Sequence, residues 1–376
     1  MSNSVQLFRN IIRYAEKKIS AYKFKRHSHY WTNYVQKDFK NINVPGKVAG
    51  ENEYIQRWKI GDYKPSPVIY RCYSSYFENE MSMDFAPADM LFPVILKILN
   101  PVEHRVLFSD KNIYDKRYDS SLLPETHFRK MNGFVMSSDY KPIEIDDSFF
   151  LNLAKITDDV IVKPAIYSRG GKKVERFIFT GKYFENDKKI RLGKSYLDKV
   201  YKDNYIVQQR IEQHSILNQL NESSLNTLRV LTYRSVIDNE VKILGTYLRF
   251  GNPGSVVDNV TTGGYALHVN DKGKLADFAI NANLSKMFYA GPTRISEIED
   301  YPDYDQIVSV SKEIANLHPY QRVVGLDVVL DKQNCVKLIE VNTYNIDGFQ
   351  TCGWPYFGEY TDEVIDYCRQ QIQLDD

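Results

Sequence analysis

No CxxC pair occurs in this 376-residue sequence, whose four cysteines stand alone at positions 72, 335, 352 and 368. That spacing offers no disulfide framework, and reduced, mostly structural thiols in a cytoplasmic protein are expected. A basic, apolar, small-residue signal sequence is also missing from the start. No apolar run approaches the roughly 20 residues that span a bilayer. The nearest, LFPVILKI at 91–98, is interrupted by Pro93 and Lys97 and reads as a core segment. Excess charge of either sign is lacking too: 49 Lys and Arg face 48 Asp and Glu, a net charge of +1. No overall field therefore argues for nucleic acid as a partner. Nothing repeats with a period of 20 to 50 residues, which excludes solenoids.

What is present suits a folded chain. A hydrophobic content of 43% gives room for a sizeable core without metal or disulfide staples, in two or three domains or one enlarged one. The 28 tyrosines read as compositional habit rather than as a binding code.

Along the chain, Leu7, Ile11 and Tyr14 fall at helical spacing, followed by Lys17, Lys18, Lys23, Lys25 and Arg26. A basic amphipathic start can lie on an anionic membrane or contact a polyanion; a surface helix with a solvated basic end is the plainer reading. Residues 45–68, with three prolines and three glycines, read as an extended connector. Residues 84–100 read as helical and buried. VIVKP (160–164) and RFIFT (176–180) suggest a hairpin, as do LRVLTYRSVI (228–237) and VKILGTYLRF (241–250) around Asp238, Asn239 and Glu240. IVQQRIEQH (206–214) reads as an edge strand. Residues 305–317 fit an amphipathic helix, and a last helix is expected after Thr361 as its N-cap. The sum predicts an α+β fold with mostly antiparallel sheets.

The richest chemistry lies in VVGLDVVLDKQNCVKLIEVNTYNIDG (323–348), two apolar strands around a polar turn. Side chains two apart on a strand share a face, so Glu340 and Asn342 project together, with Asp327 on the neighbouring strand. Two carboxylates and an amide oxygen suit Mg²⁺, a hard cation that commonly bridges substrate phosphates. Lys163 precedes Pro164 and a loop containing Ser168, Arg169, Gly170, Gly171, Lys172 and Lys173. Glycines let a loop present N–H groups to phosphate oxygens, so it could close over a triphosphate, although from the loop alone a basic solvated hairpin is the better reading. It is not a Walker A sequence. Arg229 and Arg249, near strand ends and followed by Asn259 and the pair Gly263-Gly264, suggest a polyanion pocket, with Asn226 close by.

Taken in order, this set resembles the ATP-grasp superfamily, and SSLNTLRVLT, DN…GGYALHV and GLDVV…LIEVN look most like its sugar-transfer associated family. The resemblance runs from about Ser109 to the C-terminus. It implies two α+β subdomains gripping ATP between antiparallel sheets: a helical region at 1–105, a smaller lid subdomain at 106–205 and a larger subdomain at 206–376. It further implies that Lys111 and Lys163 contact the nucleotide, with Ser168, Gly170 and Gly171 in the lid, and that Gln208, Gln209, Arg210 and Ile211 form the hinge beside adenine. Asp327, Glu340 and Asn342 would be the magnesium triad. Arg249, Asn259, Gly263 and Gly264 would hold the phosphoryl group and acyl substrate, with Arg229 near. Two departures stand out: Gln208 and Gln209 replace an acidic hinge residue, and TYNID follows Asn342.

The implied activity is an ATP- and Mg²⁺-dependent carboxylate–amine ligase working through an acyl phosphate on small-molecule, glycan-linked or peptide-like substrates. A kinase that phosphorylates a hydroxyl and a nucleotide-binding module without turnover are the alternatives.

Overall fold

The computed structural model describes residues 3–104, 106–166, 171–344, 346–347 and 350–375. By contact the chain forms two compact units. One comprises residues 1–102, 234–240 and 348–376; the other comprises 103–233 and 241–347.

The first unit is helical. Helix α1 (Asn3–Asp38) continues well beyond the amphipathic start anticipated from the sequence; the side chains of Leu7, Ile11 and Tyr14 lie outside the described residues. Residues 45–68 are not an extended connector. A helix, Glu51–Arg57, forms among the prolines and glycines, started by Gly50 at φ 79° with Glu51 and Glu53 in its first turn. A second helix, Pro67–Phe77, is capped by the Ser66 hydroxyl and has proline at its first position, where no N–H is needed. Residues 88–99 are helical and buried as expected, with a π-helical turn at Leu91–Ile95. Trp31 of α1 stacks on Phe92 with centroids 4.0 Å apart. The buried Asp89 accepts from the Ser28 hydroxyl (2.9 Å) and the Ser66 amide (2.7 Å). Burial pushes that carboxyl up to about 6, against those hydrogen bonds.

The final helix, Thr361–Asp375, packs on the 91–99 turns. Its Arg369 donates to the carbonyls of Lys59 and Arg57. Thr361 is not an N-cap: it is already helical, and its hydroxyl donates to the Gly358 carbonyl at the start of the preceding 3₁₀ turn, Gly358–Tyr360. No helix among the described residues is long and apolar enough to cross a membrane.

The second unit holds two antiparallel sheets. The first is built from β1 (Thr126–Met131), β2 (Phe134–Ser137), β3 (Asp159–Pro164), β4 (Glu175–Phe179), β5 (Phe184–Glu185) and β6 (Tyr205–Gln209), in the order β2-β1-β6-β3-β4-β5. β6 is therefore a central strand rather than an edge, paired to β1 and β3. Its YIV residues are buried, which explains why a run ending in glutamines still belongs inside the sheet. The β3–β4 hairpin forms as read.

The second sheet contains β7 (Leu228–Arg234), β8 (Val241–Phe250), β9 (Tyr265–Val269), β10 (Ala279–Asn281) and β11 (Lys286–Met287). A separate ribbon, β12 (Tyr289–Ala290) and β13 (Thr293–Arg294), precedes β14 (Val323–Leu330) and β15 (Val336–Asn342). The order β11-β10-β9-β8-β7-β14-β15 puts the metal-type hairpin beside the two arginine-bearing strands. β14 is buried on both faces, one of them beneath the amphipathic helix Tyr304–Asn316.

Candidate nucleotide and metal site

Sheet register assembles the site. Asp327 on β14 lies opposite Arg229 on β7 and opposite Glu340 on β15. Directly opposed residues bring their side chains within contact range, so cation and carboxylates line up across three strands. A bulge between Asp327 and Val328 breaks the regular alternation at this point. Gly325 sits two residues before Asp327. A Cβ there would stand 2.7 Å from Ile346, 3.3 Å from the Arg229 stem and 3.6 Å from Asn342, so its missing side chain leaves room for both polar residues.

Asp327, only 2% exposed, forms the floor. Arg229 reaches both of its oxygens, and Arg249 Nη2 reaches Oδ2 at 3.0 Å. Burial opposes ionisation of Asp327, but the two guanidiniums win and hold its carboxyl below the usual range. For Arg229, burial disfavours the charge and Asp327 outweighs it, raising the guanidinium's already high value. Asn342 Nδ2 lies 3.5 Å from Asp327 Oδ2, while Glu340 keeps 29% of its side chain exposed. The three proposed ligands are thus together, two of them reaching accessible space above a buried third.

The lysines come from the first sheet's side. Asp110 caps the turn that begins at Lys111, and the Lys111 amide donates to the Ala165 carbonyl just after β3. From there Lys111 Nζ reaches Glu340 Oε1 at 2.7 Å. Lys163, buried on β3, is brought down to about 7 by burial first and by Lys111 second, with Glu340 opposing. Two lysines this close store a positive field that a polyphosphate would relieve.

Arg249 is held from several directions. Its guanidinium donates to the Thr227 hydroxyl at 2.6 Å and lies 3.4 Å from Asp258. Asp258 in turn accepts from the Thr227 amide (3.1 Å) and hydroxyl. Burial raises the Asp258 carboxyl, with Arg249 and Thr227 opposing. Sequence reasoning did not single out Asp258, Thr227 or Gly325. A carboxylate directly before Asn259, in a loop read as an anion pocket, was the available signal for Asp258.

Other expected site residues are placed differently. The Asn259 side chain accepts from Thr261, amide at 2.8 Å and hydroxyl at 2.6 Å, capping its own turn rather than pointing to a ligand. Gly264 permits close backbone packing: a Cβ would meet the Asp258, Asn259 and Phe250 carbonyl oxygens at 2.7, 2.9 and 2.9 Å. Gly263 turns at φ 103°. Asn226 is spent in a buried network with Gln213, Asn221 and Ser224. Ser168 and Gly170 lie outside the described residues. Gly171, at φ 67°, packs against Val257 of the second sheet's loop.

In the hinge, Gln208 lies within the ladder between Thr126 and Ile161, and the Gln209 amide donates to the Glu125 carbonyl. Arg210 and Ile211 follow the strand's end, with the Arg210 guanidinium 3.8 Å from Asp159. Burial, then Arg176, lower the Arg210 value.

Among the described residues no group of three His, Cys, Asp or Glu side chains could hold a metal ion. Two carboxylates and an amide nevertheless fit Mg²⁺, which keeps few protein ligands and completes its shell with phosphates and water.

The sequence profile of sugar-transfer associated ATP-grasp proteins matches residues 95–352. The chain belongs to this family. The α+β architecture with two antiparallel sheets is accordingly an ATP-grasp fold. No curated protein matches the sequence. Among solved structures, an ADP complex of purK, N5-carboxyaminoimidazole ribonucleotide synthetase, aligns at 10% identity over 80% of this chain and 58% of that one, with a TM-score of 0.41. Biotin carboxylase from Campylobacter jejuni aligns at 14% identity over 71% of this chain and 48% of that one, TM-score 0.42. The ATP-grasp ligase PsnB, complexed with minimal precursor, Mg and ADP, aligns at 12% over 72% and 62%, TM-score 0.37. This family member therefore spans less than two thirds of each.

Proposed function

We propose that this ATP-grasp protein is an ATP-dependent carboxylate–amine ligase that works through an acyl phosphate. The observation that carries the reading is the meeting of Lys111, Lys163, Arg229 and Arg249 around Asp327, Glu340 and Asn342. Cations and oxygen donors gathered on rigid strands suit phosphoryl transfer, which needs alignment and charge neutralisation more than covalent help.

In the first step a carboxylate oxygen of the acid attacks the γ-phosphorus and the bond to the β-phosphate oxygen breaks, giving acyl phosphate and ADP. In the second, the amine nitrogen forms the new bond to the acyl carbon, phosphate leaves, and the amine's proton passes to solvent. Lys111 and Lys163 bind the nucleotide phosphates. Arg249, fixed by Thr227 and Asp258, bears on the transferred group, with Arg229 holding Asp327 in place. A single well-placed donor of this kind is worth about 10²–10³ in rate. Asp327, Glu340 and Asn342 would hold Mg²⁺, which supplies charge neutralisation of the β- and γ-phosphates. Gln209 to Ile211 border the adenine, and the glycine loop around Gly171 acts as the lid that keeps water from the acyl phosphate. Asn259, Gly263 and Gly264 shape the acyl-substrate loop through its backbone. The family's description, sugar-transfer associated, favours a substrate linked to a glycan.

Glu340→Gln, an isosteric change, is expected to lower Mg²⁺-ATP turnover about a hundredfold or more with the fold intact by circular dichroism. Phosphate release against amino acids and uronic or amino sugars, offered singly and in pairs, tests the reaction class. Release that requires both an acid and an amine supports ligation. A stable phosphorylated product from one alcohol would replace it with a kinase.

A further inference from the structure

The first 37 residues carry eight Lys or Arg against one acid, Glu16, although the whole chain nets +1. From Lys17 to Lys37 there is no acidic residue at all. From Asn3 this segment is the long helix α1, and its two faces differ. Trp31 and Val35 turn toward the unit's core, Val35 buried outright, as is Phe39 just past the helix's end. On the opposite side Ile12, Ile19, Tyr22 and Tyr30, spaced seven, three and eight residues apart, share one helical stripe and are 41, 54, 70 and 58% exposed. Lys18 and Lys25 flank the stripe and Arg26 lies in it, all three exposed.

Exposed isoleucines and tyrosines set among lysines are a costly way to face water, because the fold gains nothing from them. They match an interface with a polar, negatively charged outer layer over hydrocarbon. Isoleucine enters the acyl boundary, tyrosine sits at headgroup depth, and lysine reaches out to phosphates. We infer that the outer face of α1 docks this protein on an anionic phospholipid bilayer, lying in the plane of the interface.

A second observation agrees with the first. At the flank of α1 a cavity of about 190 Å³ is lined by Lys23, His27 and Lys97 together with apolar Phe24, Val94 and Ile98, and no Asp or Glu among the described residues lines it. Positive groups over an apolar floor suit a lipid headgroup and the first part of its chain. Two alternative occupants fit less well. A second copy of the helix would bring like charges together, and a soluble acidic polysaccharide has no use for Ile12 and Ile19. The inference is independent of the ligase reading, since no residue of α1 takes part in the nucleotide site described above.

Flotation of the full chain with vesicles of equimolar phosphatidylglycerol and phosphatidylcholine tests it. Binding to these vesicles, little binding to pure phosphatidylcholine, and weakening by salt are expected. The double variants Ile19→Glu/Tyr22→Glu and Lys18→Glu/Lys25→Glu should each weaken vesicle binding at least about tenfold, the first by removing the inserted apolar groups and the second because each basic residue near an anionic surface contributes about a fivefold factor. Circular dichroism and ATP-dependent phosphate release should not change in either variant. The inference is overturned if the wild-type chain ignores anionic vesicles, binds both compositions alike, or if the variants bind as well as wild type. It is also overturned if light scattering shows a dimer that Ile19→Glu/Tyr22→Glu dissolves, or if an acidic polysaccharide binds while vesicles do not.

Discussion

Lys163 shows how far one residue's environment can carry an argument. An ordinary lysine holds its proton to about pH 10.4. Here burial, then the neighbouring Lys111, bring it to about 7, with Glu340 opposing. Across the window from pH 7 to about 10, the unfolded chain therefore binds a proton that the folded chain has lost. By linkage the free protein gains stability as pH rises through that window, and the cost of burying the charged amine is fullest below pH 7. A nucleotide reverses the balance because its phosphates favour the charged amine. At about pH 8.5, in EDTA so that nucleotide acts alone, ATP binding is expected to take up close to one proton. Calorimetry in buffers of different ionisation enthalpy measures this, and Lys163→Met should abolish the uptake. Binding with no proton uptake in the wild type would remove Lys163 from the nucleotide. This residue was legible in the sequence as a lysine ending an apolar strand before proline; its closeness to Lys111 was not, since the 51 residues of intervening chain carry no local trace of the fold that joins them.

At the scale of elements, the β14–β15 hairpin was readable because strand periodicity and ligand chemistry coincide in one short stretch. Glu340 and Asn342 alternate with the more apolar Ile339 and Val341, and the register then sets Glu340 opposite Asp327. Elsewhere local signals competed. In residues 45–68 the prolines and glycines outweighed the seven helix-forming residues between them. In β6 the terminal glutamines suggested an edge, whereas Gln208 Nε2 donates inside the sheet to the Pro124 carbonyl and the Thr126 hydroxyl, its buried Oε1 being left without a partner. The loop from Gly251 to Gly264 tests whether backbone packing, more than the Asn259 side chain, shapes the acyl side. Gly264→Ala would force a methyl against three carbonyl oxygens. Its expected cost is about 1–3 kcal/mol in stability, as for other overpacked positions, with a raised KM for the acid and less change for ATP. Gly46→Ala, in open space, is the control and should alter neither. Equal effects on both substrates would show that the loop supports the whole site rather than one side of it.

For the whole molecule, the division into two units was the least legible feature, because the first unit gathers three separate stretches of chain. The resemblance implied a larger subdomain at 206–376 that takes in the last helix. Its Val364, Ile365 and Cys368 are buried in the helical unit, while Arg369 ties it to the 57–59 backbone. Three buried apolar side chains contribute roughly 5–9 kcal/mol together, comparable with the whole stability of an ordinary domain. Ending the chain at Tyr360 should therefore unfold the helical unit even though its first hundred residues are intact. Cys72 reports on this directly. Burial pushes its thiol up to about 11 and leaves it inaccessible, whereas Cys335 is exposed and Cys352 half-buried. In the intact protein at about pH 8, a thiol reagent should label Cys335 and Cys352 quickly and Cys72 slowly, because both burial and a scarce thiolate oppose attack. In the truncated chain Cys72 should react as fast as in denaturant. If it stays protected, the N-terminal helices hold together without the C-terminal one, and the three-stretch unit is a matter of proximity rather than of mutual stabilisation.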